Sequence, residues 1–249
     1  MIKQYVIILL IALLLGGCAG KIHIDLAQSH YKMAQSYIAT KDHTGALTEM
    51  LQAVKIKPDN PDYQATLAMV YFNKQAYSKS EQHYKKSLQL RPNDPNVQNN
   101  LAALYLNMQR WDDAAALFRK VADNLLFRYK TRALLGMGVA YSHGGKNMQA
   151  VLAFNEALKE YPNNVSALFL LAKTYYDMDK FDLARQRLEK VVKINPDAGA
   201  ARMLLGQCYM QLDQLDIAAD AFREVANRED GTERANQARE YLQLVTAGS

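Results

Sequence analysis

At 249 residues the chain can form one large domain or two small ones, and it can bury a core. Composition is ordinary for a globular protein (49% hydrophobic, 22% charged), while 12 glycines and 6 prolines are too few for the many turns of a β architecture. The formal charge of +5 is spread along the chain, without the clustered basic stripe that binds nucleic acid, and Cys18 and Cys208 form no disulfide framework.

Met1 to Gln4 carries one positive charge, Lys3, and Tyr5 to Leu15 follows as an apolar run. At about eleven residues the run is too short for a permanent membrane span, which needs about twenty, and has the proportions of a signal-peptide core. The next residues, Leu15-Gly16-Gly17-Cys18, resemble the bacterial lipobox. The other reading is an ordinary secretory leader with a chance cysteine. The lipobox resemblance implies cleavage after residue 17, diacylation of Cys18 (a palmitate-type lipid on the cysteine) and room for a third chain on the new N-terminus. One acyl chain binds a membrane marginally and two or more bind it stably. Ala19 after the cysteine favours, by resemblance to Gram-negative lipoproteins, the outer membrane with the protein facing the periplasm. Residues 18–26 are then a lipidated tether. An extended chain spans at most about 3.3–3.6 Å per residue, so the first repeat stays within roughly 30 Å of the membrane.

From Ala27 onward the sequence is periodic. Tyr37, Tyr71, Tyr105, Tyr141, Tyr175 and Tyr209 are spaced by 34, 34, 36, 34 and 34 residues. Three residues before each stands a small one: Ala34, Ala68, Ala102, Gly138, Ala172 and Gly206. Nine after each comes Ala46, Ser80, Ala114, Ala150, Ala184 or Ala218, and four further on Met50, Tyr84, Phe118, Phe154, Leu188 or Phe222. Pro58, Pro92, Pro162 and Pro196 close four of the units. The pattern resembles the tetratricopeptide repeat (TPR), a helix-turn-helix unit of 34 residues. Small residues let two antiparallel helices approach, aromatic plates fill the space between pairs, and proline ends the second helix.

The resemblance implies an all-α fold: a right-handed superhelical solenoid of six TPR helix-turn-helix repeats plus a C-terminal capping helix. The repeats are 27–60, 61–94, 95–130, 131–164, 165–198 and 199–232, and residues 233–249 form the cap and tail. In the cap, Ala235, Ala238, Leu242 and Val245 share one face, and Arg234, Arg239, Glu240 and Gln243 fall largely elsewhere, as on a solvated closing helix. Two extra residues lengthen the junction between repeats three and four, where Leu125-Leu126-Phe127-Arg128-Tyr129 is apolar for a turn. This stretch reads either as a buried connection or as an exposed contact patch.

Motifs of chemistry are missing. Gly144-Gly145-Lys146 lacks the partner glycine of a nucleotide loop and forms an inner turn, and no H-E-x-x-H or paired C-x-x-C is present. His23, His30, His43, His83 and His143 occupy different repeat positions, which disfavours a metal site. Cys208 reads as a buried free thiol. Trp111-Asp112 reads as a packing residue followed by an N-cap. No cofactor is expected beyond the covalent lipid, no small-molecule substrate, and no enzymatic activity.

Spacings of three and four on the first helices define an inner face, which in TPR proteins lines the concave groove. It offers Tyr31, Gln35 and Ile38 in repeat one, Met69, Phe72 and Asn73 in repeat two, and Asn99, Leu106 and Asn107 in repeat three. Repeats four to six add Leu135, Val139 and His143; Phe169, Lys173 and Tyr176; and Met203, Gln207 and Met210. An apolar-aromatic face with amides suits a segment of another protein, and each residue reads equally well as partly buried between helices.

A lipobox leader, a short tether and six repeats together resemble the type IV pilus pilotins, the outer-membrane TPR lipoproteins of the PilF/PilW/Tgl kind. Local support comes from Asn96-Val97-Gln98-Asn99-Asn100-Leu101 and from the lengthening before Gly138. The resemblance implies a lipoprotein, monomeric before partner binding, that binds secretin subunits and promotes their outer-membrane localisation and multimer assembly for type IV pilus biogenesis. The alternatives are another envelope scaffold (an adaptor for cell-wall hydrolases or an outer-membrane protein assembly factor) and a polysaccharide export component.

Overall fold

The computed structural model describes residues 26–124 and 127–247, so the leader, Cys18, the tether before Leu26, and Leu125 and Leu126 at the lengthened junction lie outside the described residues. Among the described residues there are thirteen α-helices and no strand. They are α1 (26–39), α2 (His43–Ile56), α3 (Pro61–Asn73), α4 (Tyr77–Leu90), α5 (Pro95–Asn107), α6 (Trp111–Ala122), α7 (Lys130–His143), α8 (Asn147–Glu160), α9 (Val165–Tyr176), α10 (Phe181–Ile194), α11 (Gly199–Gln211), α12 (Leu215–Arg228) and α13 (Glu233–Ala247). Leu26, read as the last tether residue, is already helical. The chain divides into two compact units after Gln109, within the third repeat.

Local chemistry sets the helix ends. Asp42, Asn60 and Asp94 each accept two backbone N–H bonds from the turn that follows, and Asn164 accepts one. Pro61 and Pro95 occupy the first turn of α3 and α5, where a missing N–H costs nothing. Asp112 corrects the sequence reading. Arg110 stands at the N-cap of α6 without a side-chain cap bond, and Asp112 lies inside the first turn, ion-paired to Lys146 at 2.5 Å. Acidic residues in a first turn complement the helix dipole whether or not they cap it.

Each hairpin turns over at one residue with positive φ: Lys41, Gln75, Gln109, Gly145, Asp179 and Asp213. Glycine stands there once (φ 73°), and the other five positions carry side chains in a region that costs about 1–2 kcal/mol per residue. The gain is a closed turn. In five hairpins the next N–H returns to the carbonyl of the marker tyrosine, as Asp42 does to Tyr37 at 2.9 Å and Lys146 to Tyr141 at 2.8 Å.

In the first unit the core joins Ala34, Ala46, Met50, Leu67, Val70 and Tyr71, with Tyr31 and Ile38 packed against it. Apolar clusters of the second unit are built from facing repeats. Phe154 and Leu171 anchor one; Ala172, Leu188 and Cys208 belong to another; Met203, Phe222 and Ala238 belong to a further one. The cap closes that last cluster by burying Ala235, Ala238 and Val245. Polar ties reinforce the turns between repeats: Gln64 donates to the Pro58 carbonyl (2.6 Å), Gln98 to that of Pro92 (3.1 Å) and Arg202 to that of Pro196 (2.7 Å). Arg202 is buried, and Glu224 at 3.0 Å balances its charge. At the lengthened junction Phe127 is buried with its ring edge-on to Tyr129, which is exposed beneath the Arg132 guanidinium.

Small residues at the helix crossings are a steric requirement. A Cβ added at Gly206 would lie 2.6 Å from Cε1 of Phe222, a fully buried ring with no room to withdraw. Gly206→Val should therefore cost about 1–3 kcal/mol of stability, read as a lower urea midpoint by circular dichroism. Adding Phe222→Leu should return part of that loss, and purely additive losses would place the strain elsewhere.

Candidate functional site

The first helices form the inner row of each unit. In the second unit α7 touches α9, α9 touches α11, and α11 touches α13; in the first α3 touches α5. The side chains between these helices are half-buried, because one edge of each lies against a neighbouring helix and the other stays open.

The expected groove residues differ in their surroundings. Tyr31 on α1 stacks on Tyr63 of α3, with centroids 4.9 Å apart, and the Tyr63 hydroxyl donates to Gln28 at 3.0 Å. Ile38 packs against the first unit's core, while Gln35 is exposed. Met69 and Phe72 are half-buried, Phe72 tilted against Tyr77 at 5.9 Å, and Asn73 is exposed. Leu106 is half-buried, and the exposed Asn107 donates to the Ala103 carbonyl at 2.9 Å. Asn99 departs from the expectation: it is 6% exposed, and its buried carbonyl oxygen has no hydrogen-bond partner in the protein. Helical spacing identifies the inner stripe but not which member of it is sealed between elements, so Asn99 is not a surface contact.

The expected residues of repeats five and six converge. Phe169, Lys173 and Tyr176 of α9, Met203 and Gln207 of α11, and Arg234 and Gln237 of α13 line one cleft of about 340 Å³, which Asp177, Ala200 and Leu204 complete. Its floor is apolar. Phe169 and Tyr176 pack on the cluster around Leu188 and Cys208, and Tyr176 meets Phe181 edge-on at 5.3 Å. Its cations are compensated, Lys173 by Asp177 at 3.2 Å and Arg234 by Glu229 at 2.6 Å. Gln207 donates to the Tyr241 hydroxyl at 3.0 Å, and Tyr241 stacks on Phe222 at 5.1 Å, which holds the amide in place. Burial raises the pKa of the Tyr176 phenol, so it stays a neutral hydrogen-bonding group. Such a wall, apolar with a fixed amide at Gln207 and neutralised charges, receives a side chain or a helical segment rather than an ion.

The sequence reading did not give Arg234 and Gln237 a place in this cleft. A signal was present: α13 starts 34 residues after α11 and so continues the row of first helices. It caps the core and walls the cleft together.

Elsewhere three of the scattered histidines make local contacts. His30 contacts Glu49 at 2.6 Å, His83 contacts Gln64 at 2.7 Å and stacks on Tyr71, and His143 stacks on Trp111 at 5.1 Å. Burial, with a smaller contribution from Lys79, lowers the His83 pKa and keeps that ring neutral. Among the described residues no three His, Cys, Asp or Glu side chains come together to hold a metal, and no helix is long and apolar enough to cross a membrane. Cys208 is fully buried, and burial pushes its thiol up to about 12. With Cys18→Ser in place, so that Cys208 is the one thiol left, the native protein should therefore resist a thiol-specific dye at pH 8 and take it up after unfolding in urea. Because the folded state holds the Cys208 proton more tightly than the unfolded chain, stability should fall as pH rises through the ordinary thiol range towards about 12. Rapid labelling of the folded protein would contradict the burial.

Tetratricopeptide repeat models match residues 27–60, 70–109, 96–123, 132–164 and 169–238. Among solved structures the chain is similar to PilF from Pseudomonas aeruginosa (17% identity, 88% of this chain and 98% of that one, TM-score 0.71). It is also similar to PilW, described as a widely conserved type IV pilus biogenesis factor (17% identity, 85% and 97%, TM-score 0.76). A third is YrrB, a TPR protein with an unusual peptide-binding site (17% identity, 69% and 88%, TM-score 0.58). At these identities the likeness is one of fold. No curated protein matches the sequence significantly. The chain is an all-α tetratricopeptide solenoid with a fold found in scaffold proteins.

Proposed function

We propose that this array of tetratricopeptide repeats is a lipid-anchored adaptor of the pilotin kind, which binds secretin subunits and promotes their localisation and assembly in the outer membrane for type IV pilus biogenesis. The observation that carries the binding role is the cleft between α9, α11 and α13, where an apolar floor, the fixed amide of Gln207 and compensated charges accept a protein segment. Support for the anchor is the order of the leader, an apolar run closed by Leu15-Gly16-Gly17-Cys18. Support for the pilus setting is the fold shared with PilF and PilW over nearly their whole length.

The division of labour is physical. Acyl chains on Cys18 confine the protein to one leaflet and raise the local concentration of whatever the repeats hold. Recognition needs no covalent chemistry, so this role calls for no enzymatic activity and no cofactor other than the lipid. An extended or helical secretin segment entering the cleft would exchange water for the faces of Phe169, Tyr176 and Leu204, while Gln207 and Gln237 offer amides to its backbone.

Three measurements separate anchor, cleft and partner. Cys18→Ser should move the protein from the membrane to the soluble fraction, and unchanged fractionation would refute the anchor. Phe169→Ala with Tyr176→Ala should weaken capture of the secretin by about 10- to 100-fold while leaving the membrane fraction intact, as removal of buried aromatic anchors does. Deleting the gene should abolish heat-resistant secretin multimers and twitching. Normal multimers in the deletion strain would overturn the pilotin role and direct attention to cell-wall hydrolase, outer-membrane assembly or polysaccharide export partners, which co-purification would identify.

A further inference from the structure

The repeats differ in what covers the outer face of their first helix. In later repeats the preceding second helix covers it: the Tyr105 hydroxyl reaches Glu81 on α4 at 3.2 Å, and that of Tyr209 reaches Glu189 on α10 at 3.0 Å. The residue four before each marker tyrosine is buried there, as Leu67, Leu101, Met137, Leu171 and Leu205. In α1 that residue is Met33, 41% exposed, beside Tyr37 at 39% and Leu26 at 44%. Three further members of the stripe carry hydroxyls, Ser29, Ser36 and Thr40, all exposed. Leu26, Met33 and Tyr37 fall at i, i+7 and i+11, on one line of the helix.

We infer that this open face of α1 lies on the phospholipid surface of the membrane that anchors the chain. The inference rests on the lipid anchor proposed above. Three observations select a bilayer over other occupants. The first is distance: seven residues separate Cys18 from Leu26, and an extended chain reaches at most about 3.6 Å per residue, so α1 starts within roughly 30 Å of the acylated cysteine. The second is charge. Within α1 there is no acidic residue and Lys32 at the margin of the stripe is exposed, which favours an anionic lipid surface, while Lys41 beyond the helix is offset by Asp42 beside it. The third is composition: a short apolar line with a tyrosine and hydroxyls suits the headgroup boundary, where a ring sits half in hydrocarbon and its hydroxyl in water. The anchor makes even a weak contact persistent, because the face is never far from lipid. Lying on α1, the membrane would set the orientation of the first unit and leave its inner row open.

The test uses the lipidated full chain with Met33→Cys carrying an environment-sensitive dye; buried Cys208 does not compete for it. The protein is reconstituted in phosphatidylethanolamine–phosphatidylglycerol vesicles with or without a nitroxide-bearing phospholipid. The expected result is nitroxide-dependent loss of emission at position 33 and none at Gln89→Cys, an exposed position on α4. Adding Tyr37→Glu should reduce the loss at position 33. Equal loss at both positions, or none at either, overturns the inference. A disulfide between two copies at position 33, or a blue shift without nitroxide-dependent loss, also overturns it, in favour of a second copy or of residues 18–25 folding over the face. A second arm replaces the acylated cysteine with a hexahistidine tag on nickel-chelating lipid. If mass spectrometry finds no acyl group on Cys18 but the chelated protein still shows the loss, the anchor fails and the face stands. If Cys18 is acylated and no loss appears in either arm, the face fails and the anchor stands.

Discussion

A helix pair built around alanine and glycine can bring its two axes close, but it has apolar side chains on more faces than one partner helix can cover. Everything else follows from that surplus. Within a hairpin the surplus is met by a large ring laid over a small residue, as Phe222 lies over Gly206. Between hairpins it is met by the next pair, so that Leu171 packs with the cluster around Phe154, and Leu205 with the one around Leu188. Stability is therefore a property of neighbours, and a single repeat removed from the array would expose what its neighbours now seal.

Function inherits the same geometry. First helices standing side by side leave a row of half-buried side chains, each held by one wall and open on the other. In the cleft between α9, α11 and α13 the terminal helix adds a third wall to that row. Its cations are already balanced by Asp177 and Glu229, so selectivity there rests on shape and amide geometry more than on net charge.

The repeat register was legible from tyrosines and small residues, because the steric need for Ala or Gly under a ring recurs at a fixed interval. The inner stripe was also legible, since the helical period alone places Phe169, Lys173 and Tyr176 together. Less visible was the depth of each member. Asn99 obeys the same spacing as Tyr31 and Phe169, yet it is sealed, and burial depends on the neighbouring side chains rather than on its own position in the period. The role of Asp112 was hidden for a related reason: the helix begins at Trp111 with Arg110 as its N-cap, a boundary that residue type does not specify. Arg234 and Gln237 were obscured by their polarity, which suits a solvated cap as well as it suits a cleft wall.

The left-handed residue of each inner turn has one further consequence. It stands four residues after the marker tyrosine in all six hairpins, from Tyr37 and Lys41 to Tyr209 and Asp213, although the tyrosines themselves are unevenly spaced. The two extra residues of this chain fall in a join between hairpins, at the stretch before α7. An extra residue inside a hairpin would rotate the second helix by about 100° and carry its alanine away from the first. The hairpin is thus the unit in which insertions and deletions are forbidden, and the joins are where this architecture can be lengthened, recombined or extended.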